Sequence, residues 1–257
     1  MDFNKRVFIT SVVLKIPKEK IIVEGIRFPS KVYEIEKRVE DGEPLEYLVK
    51  RCWFMGLELF IDRGVFIPRP ETEELVEKIF KMLKNPFLIF EVGTGTGCIS
   101  IALARNFKNA NIFATEIDER SYKTALKNIK KFGLQKRIKI YKASLFSIPG
   151  IRNLKNKFDL VVSNPPYIPE DELSKLSNSV RNYESKTALD GGKDGVKVIK
   201  EIIKGAKHLL KEKGLLAMEI TERNLEGIKR SLKKENYKEF EIQRDLSGNI
   251  RFLFAQR

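Results

Sequence analysis

Four consecutive residues, Asn164-Pro165-Pro166-Tyr167, close the run "FDLVVSNPPY" and carry groups suited to chemistry. Neither proline can donate to a sheet ladder, so a core strand must stop there. The Asn164 side-chain oxygen and the Pro165 carbonyl can both accept from one NH₂ group, and the rings hold those acceptors in place. Tyr167 can turn its ring face toward a developing positive charge. Such a set suits methyl transfer to a planar nitrogen. An amide nitrogen is a poor nucleophile because its lone pair is delocalised into the carbonyl. Two acceptors gripping its hydrogens aim the lone pair and favour the tetrahedral, partly cationic nitrogen of the transition state. Orientation lowers such barriers by roughly 7–11 kcal/mol in favourable cases, and fixed dipoles add to this. No strong base is needed if the proton leaves after the methyl arrives. Asn-Pro also opens ordinary turns, and the bland alternative is a rigid loop. Its place after a buried strand, in one sheet with a glycine-rich turn, favours chemistry.

That turn is "FEVGTGTGCIS", with Gly93, Gly95 and Gly97 between an apolar run and a helical pattern. Glycines let the backbone turn tightly and a ligand approach without a Cβ in the way. In open α/β sheets ligands bind at the carboxyl ends of the strands. No phosphate-binding G-x-x-x-x-G-K-[ST] is present. Glu116 ends the next predicted strand, where a carboxylate accepts from ribose hydroxyls. That arrangement serves dinucleotides and S-adenosylmethionine alike. Asp118 is the rival acid and is assigned as a helix N-cap.

The elements that must position these groups follow from periodicity. Residues 1–50 read as helical and charged, with Val32, Ile35, Val39, Leu45 and Leu48 near helical spacing and a break at 41–44. Residues 52–67 read as a β-hairpin turning at Asp62-Arg63-Gly64, with Trp53 in its core. Pro70 starts a helix. From residue 87, strands and helices alternate, which predicts a parallel sheet covered on both faces. The helix from Gly195 is expected to stop at Gly214, and the last two strands to form an antiparallel edge hairpin through Ser247-Gly248-Asn249.

Bulk composition narrows the classes. The 257 residues are 42% hydrophobic, which excludes a disordered chain. No run reaches membrane-span length, and no signal-peptide pattern opens the chain. Cys52 and Cys98 read as free thiols of a reducing cytoplasm. His208 is the sole histidine, so no zinc site is expected. The net charge of +14 permits nucleic-acid, ribosome or acidic partners, but the lysines are spread along helices without one dense basic block.

Taken together, "FEVGTGTGCIS", "VVSNPPYIPE" and "GVFIPRPETEELVE" resemble the peptide chain release factor glutamine N5-methyltransferases (HemK or PrmC). "GEPLEYL", "TALDGGKDG" and "DLSGNIRF" add to the likeness, which runs from about residue 18 to the C-terminus. Asn-Pro-Pro-Tyr alone is shared with adenine-N6 methyltransferases; the Pro-Arg-Pro-Glu-Thr-Glu stretch is much more specific. The resemblance implies an α/β fold: a seven-stranded Rossmann-like class I methyltransferase domain over 69–257, a β-hairpin linker over 51–68 and a helical substrate-recognition domain over 1–50. It implies methyl transfer from S-adenosylmethionine to the glutamine of the Gly-Gly-Gln motif in class 1 release factors. Gly93, Thr94, Gly95, Thr96 and Gly97 would embrace the methionine end of the cofactor. Glu116 would bind the ribose, Ser144-Leu145 would lie beside the adenine, and Asn164 would also be near the cofactor. Asn164, Pro165, Pro166 and Tyr167 would hold the glutamine amide, with Asn164, Pro165 and Tyr167 catalytic. Phe66 and Arg69 fall in the stretch that closes over the pocket. The family implies a monomer that needs no direct nucleic-acid contact.

Four departures stand out. Ser144 replaces a frequent acid, Ser185 a usual proline and Thr221 a common glycine, and the N-terminal region is shorter than the family's. Two rival readings remain at this stage. One is an adenine-N6 nucleic-acid methyltransferase, supported by the tetrapeptide and the charge, although no target-recognition domain is visible. The other is a non-enzymatic RNA- or ribosome-binding protein on a methyltransferase scaffold.

Overall fold

The run Leu88–Val92 (β3) is an interior strand of a seven-stranded sheet in the computed structural model, which describes residues 3–14, 18, 21–22 and 28–257. Alternate side chains of this strand enter opposite layers: Ile89 joins one apolar cluster and Phe90 the other. A strand buried on both faces reads as continuous hydrophobic sequence, as this one does.

Among the described residues up to position 50 are the helices α1 (Phe3–Leu14), α2 (Ser30–Glu40) and α3 (Leu45–Val49). They share a small apolar cluster of their own, with Ile9, Val32, Ile35 and Val49. The Arg6 guanidinium grips Glu36 across it, with Nη2 to Oε1 at 2.7 Å. Within the helical region expected over 1–50, residues 1–2, 15–17, 19–20 and 23–27 lie outside the described residues.

The hairpin follows as β1 (Arg51–Phe54) and β2 (Leu57–Phe60). Its turn is Met55-Gly56, not the expected Asp62-Arg63-Gly64. Met55 and Gly56 take φ of +49° and +73°, the paired left-handed geometry that matches the twist of a two-residue hairpin. Asp-Arg-Gly carries the stronger turn chemistry but lies beyond the second strand. Trp53 is also not core: it is 43% exposed and meets the edge of Phe8, while Phe54 is the buried neighbour.

The helix α4 (Pro70–Met82) starts with Pro70 in its first turn. Its Glu73 Oε1 accepts from the Met55 N–H at 2.5 Å, which fastens helix to hairpin. Then come α5 (Cys98–Asn106), β4 (Asn111–Glu116), α6 (Glu119–Lys131), β5 (Ile138–Lys142) and β6 (Phe158–Ser163). Asp118 caps α6 by accepting from the Ser121 N–H at 2.8 Å, as its position predicts. The short helices α7 (Asn178–Tyr183) and α8 (Lys186–Leu189) lead to α9 (Lys197–Leu209), β7 (Leu210–Glu219), α10 (Leu225–Lys234), β8 (Glu239–Arg244) and β9 (Ile250–Gln256).

The strand order is β5-β4-β3-β6-β7-β9-β8. β3 to β7 pair in parallel; β9 is antiparallel to both its neighbours. The C-terminal pair is therefore the expected antiparallel edge. α9 ends at Leu209, short of Gly214, because the backbone enters β7 at Leu210 and absorbs the extra residues in an irregularity opposite Phe158–Leu160. Lys213 sits there at φ +61°. No described helix is long and apolar enough to cross a membrane.

Candidate functional site

β3 and β6 are adjacent, with Val92 opposite Ser163, so the turns that follow them meet at one sheet edge. Ser163 Oγ donates to the Val92 carbonyl at 2.8 Å and pins the two strand ends together. This is the switch point of the sheet: β4 lies to one side of β3 and β6 to the other. A cavity of about 440 Å³ opens there. Gly93, Thr94, Gly95, Thr96, Glu116, Leu145, Asn164, Pro165, Pro166 and Tyr167 all line it. Residues spread over some seventy positions of sequence thus converge on one volume, as expected.

Gly97 does not line the cavity. It sits at φ +84°, and a Cβ there would meet Ala125 of α6 at 3.5 Å. The 3.5 Å approach is an ordinary contact, so the left-handed φ, not crowding, calls for that glycine. Gly93 and Gly95 differ, since a Cβ at either would meet nothing within 4 Å and would project into open space.

The glycine turn spends its own N–H groups. Gly93 and Thr94 donate to the Thr115 carbonyl, Gly95 to Glu116 Oε2 at 2.8 Å, and Gly97 to the Thr94 carbonyl. A pyrophosphate would need free donors there. The cavity offers acceptors instead. Glu91, Glu116, Asp118, Asp190 and Glu201 line it, against one cation, Lys197. Glu91 is fully buried; its Oε2 accepts from Thr94 Oγ1 at 2.7 Å and from Ser100, while its Oε1 has no partner among the described residues. Burial pushes its carboxyl up to about 7 despite those donors. Glu116 is raised too, chiefly by burial, against the backbone N–H of Asp118 and Gly95 that favour its charge. Its two oxygens keep lone pairs free for hydroxyls. Leu145 holds a left-handed φ of +50°, fixed by Thr115 Oγ1 donating to its carbonyl at 2.6 Å. Ile117 lines the mouth and is 58% exposed, and Ser144 is exposed beside it. A buried unpaired carboxylate oxygen, a ribose-ready acid and an apolar rim fit a cationic nucleoside such as S-adenosylmethionine.

On the other side of the cavity, Asn164 Nδ2 donates to Thr72 Oγ1 at 3.0 Å. Thr72 Oγ1 donates to Glu219 Oε2 at 2.7 Å. Tyr167 Oη donates to Glu219 Oε1 at 3.2 Å. Burial raises Glu219 to about 6 and raises the Tyr167 phenol as well. The Tyr167 carbonyl accepts from Asn224 Nδ2, whose Oδ1 accepts from Thr221 Oγ1 at 2.7 Å. The unusual Thr221 therefore has a structural use. Phe66 lines the cavity. Arg69 does not; it lies 4.9 Å from the centre of the Phe66 ring and ion-pairs with buried Glu184.

Thr72, Glu91, Asn224 and Glu219 were not found by sequence reasoning. Thr72 stood inside the quoted Pro-Arg-Pro-Glu-Thr-Glu stretch, and Glu219 ends an apolar strand, where a lone acid is a signal worth following.

A family profile described as "Methyltransferase domain" matches residues 84–250. The release factor glutamine methyltransferase of Clostridium acetobutylicum is 36% identical over 83% of this chain and 75% of that protein. Its counterpart in Thermodesulfovibrio yellowstonii is 32% identical over 95% of this chain and 89% of that protein. This chain belongs to the release factor glutamine methyltransferase family. A solved structure of M. jannaschii TYW2 in complex with AdoMet aligns over 80% of this chain and 84% of its own, with a TM-score of 0.53 and 16% identity, and supports the fold. As a member of this methyltransferase family, the protein is an enzyme with S-adenosylmethionine as cofactor. These relatives are named for a glutamine substrate, so the adenine-N6 reading is not favoured.

Proposed function

We propose that the protein methylates the side-chain amide nitrogen of the Gly-Gly-Gln glutamine in class 1 release factors, with S-adenosylmethionine as donor. The observation that carries this reading is that Asn164, whose NH₂ is bonded to Thr72, and Pro165 line the cavity shared with the glycine turn. When bound, the cofactor supplies an electrophilic methyl group on a sulfonium. Glu91, Gly93–Thr96 and Glu116 would hold it, Glu116 at the ribose and Leu145 beside the adenine.

Asn164 presents its carbonyl oxygen to the substrate because its NH₂ is committed to Thr72. That oxygen and the Pro165 carbonyl would grip both hydrogens of the glutamine amide and hold its nitrogen in line. Pro165 and Pro166 remove the freedom to swing away. The Tyr167 ring would lie against the nitrogen as positive charge develops. Its hydroxyl, anchored on Glu219, orients that ring. The nitrogen sheds one proton to water after it gains the methyl, so no basic side chain is consumed. Helices α1 to α3, which have their own apolar cluster, and the hairpin would form the docking face for the release factor.

The test is incubation with labelled cofactor and, separately, release factor, DNA and RNA, with the modified residue located by mass spectrometry. Label on the glutamine of Gly-Gly-Gln supports the reading. Label in nucleic acid with an unlabelled release factor reverses it.

A further inference from the structure

We propose that Glu219 and Thr72 are positioning residues that fix which end of the Asn164 carboxamide faces the substrate. The inference rests on the Asn164 role just described. A carboxamide can be turned over at little steric cost, because its oxygen and nitrogen are nearly the same size. The two orientations are chemically opposite. Oxygen toward the cavity accepts from an incoming NH₂ group; nitrogen toward it confronts donor with donor. Something must set the choice before substrate arrives.

The chain of bonds does so by polarity. An ionised carboxylate accepts and cannot donate. Glu219 Oε2 therefore obliges the Thr72 hydroxyl to donate, which it does at 2.7 Å. A hydroxyl has one proton, so the Thr72 oxygen has only lone pairs left to offer Asn164. The carboxamide must answer with its NH₂, found at 3.0 Å. Its oxygen is left for the substrate. Glu219 Oε1 takes the Tyr167 hydroxyl, so one carboxylate sets both a carboxamide and a ring.

The placement is built rather than incidental. Thr72 is 2% exposed and Glu219 1% exposed, and they come from the start of α4 and the end of β7. A buried carboxylate with no compensation is costly. Around Glu219 the two hydroxyls and Arg251 of β9 favour its charge, while Glu71 of α4 opposes it. With a value of about 6, it is mostly ionised at neutral pH. The Thr in Pro-Arg-Pro-Glu-Thr-Glu thereby acquires a chemical task separate from closing the pocket.

The experiment compares Thr72→Val, Thr72→Ser and Glu219→Gln with wild type. Methyl transfer to a release factor gives kcat, calorimetry gives cofactor affinity, and NMR follows the Asn164 side-chain NH₂ signals. Thr72→Val and Glu219→Gln should lose at least about thirtyfold in kcat, as expected when an aimed polar group is lost. Cofactor affinity should stay within about threefold, and Thr72→Ser should retain at least about a third of kcat. The Asn164 NH₂ signals should shift in Thr72→Val and Glu219→Gln and stay in Thr72→Ser. If Glu219→Gln does not fold, the Thr72 pair still decides. Near-wild-type turnover in Thr72→Val, equal damage in Thr72→Ser, or unmoved NH₂ signals in Thr72→Val would overturn the proposal. A wild-type protein that leaves release factor unlabelled would sink the proposed substrate alone, since the NH₂ signals still judge the relay.

Discussion

The two turns that face each other across the cavity are built on opposite plans. The glycine turn after β3 is held locally: its donors go to Thr115, Glu116 and its own Thr94, all on β3–β4 connections. The Asn-Pro-Pro-Tyr turn after β6 is held from afar, by Thr72 of α4, Glu219 of β7 and Asn224 before α10. On the proposed function, one would bind a ligand that arrives whole and must be enclosed, so space and acceptors suffice. The other would aim a single weak nucleophile, and its turn is held by rings and by a polar chain. Tolerance on one side and rigidity on the other is what differential binding of a transition state requires.

The largest expected effect comes from removing the aimed acceptor. Asn164→Ala should lower kcat by roughly 10²–10³-fold, as loss of a preorganised polar group does, while cofactor Kd stays within about threefold. Matched steady-state kinetics and calorimetry would show it, and near-normal turnover would break the contrast. Glu116→Ala should do the reverse, weakening cofactor binding by about 10–100-fold, the worth of one or two charge-assisted hydrogen bonds, with a smaller change in saturated kcat. Gly195→Ala tests the long-range support. A Cβ there would lie 2.5 Å from the Tyr167 carbonyl oxygen and 2.8 Å from Asn224 Nδ2, at φ +66°. The expected loss is about tenfold in kcat with about 1–3 kcal/mol of stability, read from denaturant melts.

The pH dependence separates the halves further. Glu91 and Glu219 are both raised above 4.5, to about 7 and about 6, chiefly by burial. Each binds its proton more tightly when folded. Their stabilisation is complete below the unfolded value and is lost as pH rises through the folded one. Melts of the ligand-free protein from pH 5 to 8 should show stability falling, with Glu219→Gln flattening the fall up to about pH 6 and Glu91→Gln flattening it up to about pH 7. Activity should climb through about pH 6 as Glu219 ionises, and Glu219→Gln should remove that limb. Tyr167→Phe gives the smallest change. The ring remains, but its hydroxyl no longer fixes it on Glu219, so a loss of about two- to fivefold in kcat is expected, in line with one neutral hydrogen bond.

Much of the sheet and the glycine turn could be read from the chain because the causes are local. Alternating apolar runs, Pro70 in the first turn of α4 and Asp118 at the N-cap of α6 each depend on residues within a few positions. Readings failed where two local signals competed. The hairpin turned at Met55-Gly56 because strand pairing outweighed the better turn chemistry of Asp62-Arg63-Gly64. The start of β7 at Leu210 overrode a helical pattern because β6 offered it a partner. Gly97 was read with the ligand glycines, but it lies outside the cavity lining at a left-handed φ of +84°.

The amino-acid order by itself determined which groups the protein possesses: the glycines, the acid Glu116, and an Asn-Pro-Pro-Tyr turn after a core strand. Propensity, periodicity and side-chain chemistry act over short stretches, and a linear reading captures them. Folding alone decided that Thr72 and Glu219, 147 positions apart, would share a proton bond beside Asn164. Hydrogen bonds reach only about 3 Å, so the direction in which that carboxamide points is a property of packed elements and of nothing shorter.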